Sequence, residues 1–310
     1  MGAPGAGGAA HRAAVIGRPV AHSLSPVLHA AAYRSLGLED WRYEVREVSP
    51  ARLRGMLAEV AAASAAGPVW AGLSVTMPHK QTVLPLLDAV DPLAAVVGAA
   101  NTVVAQRAGR GRALLAGFNT DVAGIVGALR EAAPAGGHDD VARAVVLGSG
   151  ATACSALAAL AELGATDIVV AARRHAGAGR AAAAAHRMGL SVTALPWRPG
   201  DAVSDGSVAD LLAHADLVVS TLPAGAADAL AAPMAAALER RGRTRAVMLD
   251  VVYAPWPTPL AAAWTAAGGC AVPGRLMLLY QAVPQVTLMT GRTPPVGPMR
   301  EALEAAVAAR

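Results

Sequence analysis

The stretch Val145-Val-Leu-Gly-Ser-Gly-Ala-Thr-Ala153 is where the fold can be read most directly. Three apolar residues lead into Gly-x-Gly-x-x-Ala, and residues 154–163 continue as an apolar helical run. Strand, glycine turn and helix in that order form the dinucleotide-binding fingerprint. Gly148 makes the tight turn, Gly150 lets the main chain approach a pyrophosphate, and Ala153 allows close packing of helix on strand. The anion would rest on the N–H groups that open the helix. Gly148, Ser149, Gly150, Ala151 and Thr152 are therefore candidate cofactor-binding residues. The plainer alternative is a structural glycine turn with no ligand.

The end of the next strand bears on the choice of cofactor. An acidic residue there would accept hydrogen bonds from a ribose 2′-hydroxyl. This chain has Ala171-Ala-Arg-Arg174, with Arg180 a little further on. A guanidinium suits a 2′-phosphate in charge and in bidentate geometry. Arg173, Arg174 and Arg180 thus point to NADP, against the bland reading of a solvated strand end.

Outward from this unit, short β-type runs alternate with Ala/Leu-rich helical runs. Residues 13–17, 43–48, 70–75 and 102–105 read as strands, with helices over 26–36, 51–62 and 82–87. A long helix opens near Thr120-Asp121, and 134–140 breaks the pattern. A second series of strands follows at 144–147, 168–172, 217–220 and 247–252. Such alternation predicts an α/β protein with two mostly parallel sheets. Residues 276–290 and 298–309 read as helices without a strand of their own, so they are expected to return to the first domain. The expected domains are 11–121 with 276–310, and 122–275 as the Rossmann unit, with 1–10 a disordered tail.

Composition narrows the class. The chain has 310 residues, enough for two domains, and 55% hydrophobic residues against 15% charged exclude disorder of the whole chain. With aromatics at 3%, the core must be built from Ala, Val, Leu and Met. The net charge of +4 is spread over scattered arginines; the groups at 107–112 and 240–245 read as solvated loops, not as a nucleic-acid surface. A modest positive balance suits small anionic ligands. Cys154 and Cys270 lack metal-ligand spacing, and His22, His29 and His79 share no ligand spacing, so no metal is expected. The amino terminus lacks the features of a signal peptide, and Gly, Pro and charges interrupt the apolar runs. A cytoplasmic protein without membrane contact is the expectation.

Two polar loops supply chemistry. Ser74-Val-Thr-Met-Pro-His-Lys80 and Gly117-Phe-Asn-Thr-Asp121 each follow an apolar stretch and bring a lysine and an aspartate. Such a pair can serve a carbonyl/alcohol redox site, the ammonium steadying charge on oxygen and the carboxylate orienting it or carrying protons. Ser23 and Ser25 precede Pro26 at a helix start, where Ser25 could be a plain N-cap or the two hydroxyls could hold a carboxylate. Asn101-Thr102 lies at a strand end, where turn chemistry is the alternative.

Taken together, these segments resemble the shikimate dehydrogenase family. The resemblance is carried by Gly17-Arg-Pro-Val-Ala-His-Ser-Leu-Ser-Pro26, Gly72-Leu-Ser-Val-Thr-Met-Pro-His-Lys80 and Gly98-Ala-Ala-Asn-Thr102. Gly117–Asp121, Asp250-Val-Val-Tyr-Ala-Pro-Trp-Pro-Thr-Pro-Leu260 and Met277-Leu-Leu-Tyr-Gln-Ala282 complete it. The resemblance implies reduction of 3-dehydroshikimate to shikimate with NADPH, in a cleft between the two domains. It implies Lys80 and Asp121 as the catalytic pair; the residues leave the proton to either of them. It further implies Ser23 and Ser25 on the substrate carboxylate, with Tyr253 nearby, and Thr76, Asn101 and Gln281 on ring hydroxyls. Ser74 stands where the family usually has Asn, Leu276 where a glycine is frequent, and Ala172-Arg-Arg174 where many members have Asn-Arg-Thr. Quinate/shikimate or aminoshikimate dehydrogenases share these motifs, and a cofactor-sensing regulator without chemistry is the non-enzyme alternative. Monomer and homodimer are both open.

Overall fold

Strand β1 (His11–Gly17) is buried along most of its length, as is β3 (Val69–Val75). Near-continuous apolar strands of this kind are covered on both faces, the mark of a parallel sheet flanked by helices. Around them lie β2 (Trp41–Glu47), β4 (Ala89–Val90), β5 (Thr102–Gln106) and β6 (Leu114–Phe118). The order is β2-β1-β3-β5-β6-β4. Strand β1 is parallel to β2 and β3, while β5 runs antiparallel to β3 and β6. Helices α1 (Ser25–Ser35), α2 (Leu53–Ala61), α3 (His79–Thr82) and α4 (Pro92–Val97) connect them. Ile16, Leu73, Val103 and Leu115 of the sheet pack with Leu57 and Val60 of α2.

In the protein, a computed structural model, residues 10–62, 68–109, 111–132, 142–242 and 246–310 are described. The chain divides into two compact units, one running to Thr120 and including Gln281–Arg310, the other Asp121–Tyr280. Most of the expected tail, the expected breaker at 134–140, and Arg110, Arg243 and Arg245 lie outside the described residues.

The second unit is built on β7 (Arg143–Leu147), β8 (Asp167–Ala172), β9 (Val192–Pro196), β10 (Leu217–Ser220), β11 (Val247–Asp250) and β12 (Cys270–Pro273). All its pairings are parallel, in the order β12-β11-β10-β7-β8-β9. Counted from β7, this is the 3-2-1-4-5-6 order of dinucleotide-binding sheets, which reverses between β7 and β10. Helices α5 (Asp121–Ala132), α6 (Ala151–Glu162), α7 (Ala181–Arg187), α8 (Ala202–Ala213), α9 (Ala231–Arg241) and α10 (Pro259–Ala266) belong to it. Helix α11 (Gly274–Thr290) contains the second division of the chain, and α12 (Val296–Ala308) packs on α1 in the first unit. Gly274 starts α11 against the main chain of Val251, where a Cβ would collide with backbone.

Several expectations from sequence need correction. The helix expected over 82–87 is instead the four-residue α3 and a 3-10 turn at Leu84–Leu86. Pro85 lies within that turn; it has no N–H to continue a helix and its ring crowds the preceding turn. Helix α2 starts at Leu53, later than expected, after a 3-10 turn at Pro50–Arg52. Strand β11 ends at Asp250, because its carboxylate accepts the N–H of Val252 at 3.2 Å and turns the chain. Strands β4, β6, β9 and β12 were not legible. Arg240 and Arg241 close α9 instead of forming a loop, and Arg240 pairs with Asp210 at 2.7 Å. Among the described residues, no helix is long and apolar enough to cross a membrane.

Candidate active site and its family

In the first unit the polar loops gather at one sheet edge, for a topological reason. Strands β1, β3 and β6 run parallel, so the loops that follow them leave from the same edge, and antiparallel β5 begins there. Loop 17–26 is tied to loop 76–80 by the N–H of Arg18 on Met77 O at 2.9 Å. Gly17 is required at this approach, since a Cβ would meet the Thr76 methyl. Thr76 is half-buried after β3, and its N–H donates to Ile16 O at 2.9 Å.

Lys80 is held by its neighbours. His79 is fully buried and its Nε2 donates to Val48 O at 2.7 Å. The main-chain oxygen of Lys80 accepts from the N–H of Ala100 at 2.7 Å, which brings the Gly98–Thr102 segment alongside. Asn101 donates through Nδ2 to Thr120 Oγ1 at 2.8 Å and to Gln281 Oε1 at 3.2 Å. Its Oδ1 accepts from the Thr120 N–H at 2.7 Å. Asn101 therefore ties the start of β5 to the end of β6.

Ser25 is the first residue of α1, and Leu24 is the N-cap without a side-chain bond. The capping reading of Ser25 is thus overturned. Ser23 Oγ instead accepts the N–H of Ser25 at 3.2 Å, a local bond typical of serine before a helix. Ser25 is buried and half-buried Ser23 adjoins it.

In the second unit β7, a glycine turn and α6 follow one another over the fingerprint residues. Gly148 has φ +102, and a Cβ there would lie 2.6 Å from Thr221 Oγ1. A Cβ at Gly150, by contrast, would meet nothing within 4 Å, so the turn offers bare main chain to open space. That space is a cavity of about 500 Å³ bordered by Gly148, Ser149, Gly150, Arg173, Arg174 and Arg180. Ser149 Oγ donates to Arg174 O at 2.5 Å, and the N–H of Ala181 donates to Ser149 O at 3.1 Å. These bonds hold the glycine turn beside the arginine segment. The donor set fits a dinucleotide carrying an extra phosphate: main-chain N–H groups at a helix start, and the guanidinium groups of Arg173 and Arg174 after β8 and of Arg180 before α7. Ala151 and Thr152 open α6, half-buried, and are not among the residues that border the cavity.

Sequence reasoning missed the opposite wall: Trp197 and Gly200 after β9, and Thr221, Leu222 and Pro223 after β10. Trp197 is pinned by Nε1 on Asp205 Oδ1 at 2.7 Å, and Asp205 Oδ2 accepts from Gly200 N–H at 2.9 Å. No sequence signal marks them; they border the cavity because the strand order reverses beyond β7. Tyr253 lies half-buried in the segment after β11. That segment is pinned at both ends by Asp250, whose Oδ2 accepts from Thr258 Oγ1 at 2.8 Å. Burial pushes the Asp250 carboxyl up from the usual range, against the hydrogen bonds from Thr258 and Val252. Asp121 is buried at the start of α5. Among the described residues, no cluster of three His, Cys, Asp or Glu could hold a metal ion.

Comparison with known proteins matches residues 15–103 to the shikimate dehydrogenase substrate binding domain, and 274–304 to the shikimate 5′-dehydrogenase C-terminal domain. The NADP(+) shikimate dehydrogenase of Citrifermentans bemidjiense is 41% identical over 94% of this chain and 94% of its own length. The chain belongs to the shikimate dehydrogenase family. Among solved structures, the shikimate dehydrogenase of Mycobacterium tuberculosis is 42% identical with a TM-score of 0.77, covering 95% of this chain and 99% of that one. The Thermus thermophilus shikimate 5-dehydrogenase, solved in complex with NADP(H) and shikimate, is 33% identical with a TM-score of 0.74. That match covers 96% of this chain and 99% of the Thermus chain.

Proposed function

We propose that the protein is an NADP-dependent shikimate dehydrogenase, reducing 3-dehydroshikimate to shikimate reversibly on the route to aromatic amino acids. The observation that carries this reading is the cavity in which a dinucleotide turn meets three arginines, in a chain similar throughout to NADP(+) shikimate dehydrogenases. The second unit is the NADP domain and the first is the substrate domain. When bound, the nicotinamide supplies the hydride.

Ser23 and Ser25 hold the substrate carboxylate, with Tyr253 close to it, and Thr76, Asn101 and Gln281 take the ring hydroxyls. Lys80 donates to the ketone oxygen as it gains charge, either Lys80 or Asp121 supplies the proton that completes the hydroxyl, and the Asp121 carboxylate accepts from that hydroxyl. Gly148 to Thr152 form the pyrophosphate turn, and Arg173, Arg174 and Arg180 take the 2′-phosphate. The small, scattered positive charge suits these anionic ligands and offers no nucleic-acid surface. The protein works in the cytoplasm, as a monomer or homodimer.

The test is NADP reduction by purified protein with shikimate and quinate side by side. Shikimate should be oxidised with much the higher kcat/KM. Equal or better use of quinate would move the protein to the quinate/shikimate class, and no turnover of either would leave a cofactor-sensing regulator.

A further inference from the structure

Ser74, Asn101, Thr102 and Gln285, buried in the first unit, belong to one hydrogen-bonded chain, and a single side chain decides its direction. Gln285, on α11, is 1% exposed. One side of its amide faces Asn101 O at 3.2 Å. A main-chain oxygen only accepts, so Gln285 must present its NH2 there. The same NH2 donates to Thr102 Oγ1 at 3.0 Å. Oε1 is left to accept, and Ser74 Oγ donates to it at 2.8 Å. With its proton committed, Ser74 accepts from the Tyr43 hydroxyl at 2.6 Å. The Tyr43 oxygen is in turn the partner of the Ser25 hydroxyl.

The other arm follows the same logic. Thr102 Oγ1 receives from Gln285 and donates to Asn101 Oδ1 at 3.1 Å. Asn101 Nδ2 is thereby aimed away, toward Thr120 and Gln281. Fully buried His29 completes the group: Nε2 lies 3.4 Å from Gln285 Oε1, Nδ1 lies 3.3 Å from the Tyr33 hydroxyl, and the ring stacks on Tyr43 at 3.8 Å.

We propose that Gln285 is a positioning residue for substrate recognition, its amide orienting Asn101 through Thr102 while its Oε1 anchors the Ser74 arm. This rests on the reading of Asn101 as a substrate contact. An amide gives donors on one side and an acceptor on the other, which both arms need. A carboxylate in its place would set an acceptor against Asn101 O, whereas a protonated carboxyl could again donate there.

The experiment compares Gln285→Leu and Gln285→Glu with Asn101→Ala, measuring shikimate KM, NADP KM and thermal unfolding. Gln285→Leu should raise the shikimate KM about tenfold, equivalent to ~1.4 kcal/mol, with the NADP KM unchanged. Gln285→Glu should show the same defect at about pH 9 and recover toward the parent as the pH falls to about 6, the range in which a buried carboxyl takes up its proton. Gln285→Glu carries the test alone if the leucine variant does not fold. Parallel changes in both KM values, no change in either, or a glutamate variant without recovery would make Gln285 a packing residue and overturn the inference. If Asn101→Ala itself leaves the shikimate KM unchanged, the substrate contact is wrong and the inference falls with it.

Discussion

Asn101 and Gln281 meet side chain to side chain at 3.2 Å although 180 residues separate them in sequence. Both are buried, and Asn101 also donates to Thr120 Oγ1 at 2.8 Å. Removing one leaves a buried polar group short of a partner, which costs about 1–3 kcal/mol. Asn101→Ala and Gln281→Ala should each raise the shikimate KM, and the double variant should lose clearly less than the sum, because the residues act as a pair. Additive losses in steady-state kinetics would show that the two contact the substrate independently.

The arginines at the end of β8 make the cofactor choice testable. Arg173→Ala should raise the NADP KM while leaving NAD kinetics nearly unchanged, since only NADP presents the 2′-phosphate. A charge-assisted hydrogen bond of this kind is worth about 1.5–3 kcal/mol. Parallel changes with both cofactors would assign Arg173 to structure.

Lys80→Ala should cut kcat by orders of magnitude while shikimate and NADP still bind. A donor that meets charge mainly in the transition state typically contributes about 2.7–4 kcal/mol. Asp121→Asn should also lower kcat, and the double variant should fall well short of the summed losses. A Lys80→Ala enzyme with near-normal kcat, alongside unchanged binding by titration, would remove Lys80 from the chemistry.

His29 gives a pH signature to stability. Burial pushes its ring down from 6.5 to about 3, partly opposed by the hydrogen bond to Gln285, and the groups around it, Tyr33 and Tyr43, carry no charge. Below pH 6.5 the unfolded chain takes up a proton at this position that the folded chain refuses, so stability is lost as the pH falls toward 3. Each pH unit in that window removes up to about 1.4 kcal/mol. Denaturant unfolding of His29→Gln should therefore show a flatter acid limb than the parent, whatever its stability at neutral pH. An unchanged acid limb would mean that His29 does not set it.

The motifs carried much of this in one dimension. Gly148 and Gly150 could be read because a tight turn and a bare main chain each demand glycine, and both properties are local to a few residues. Alternating strand and helix patterns likewise reported the two α/β units. The short strand β4 and the strongly exposed β9 lack a distinctive apolar pattern, and Pro85 divided an apparently helical run into two turns.

What only the tertiary structure decided is which distant residues share hydrogen bonds. Nothing near Gln285 in sequence marks it, since its role comes from facing Asn101, Thr102 and Ser74 across the fold. The same holds for Trp197 and Thr221, which border the cofactor cavity because the strand order reverses between β7 and β10. Residue type and spacing thus determined the classes of chemistry that this chain can perform. The packing of strands and of α11 determined donor direction and partner identity, because a hydrogen bond depends on positions within about 3 Å that no linear spacing encodes.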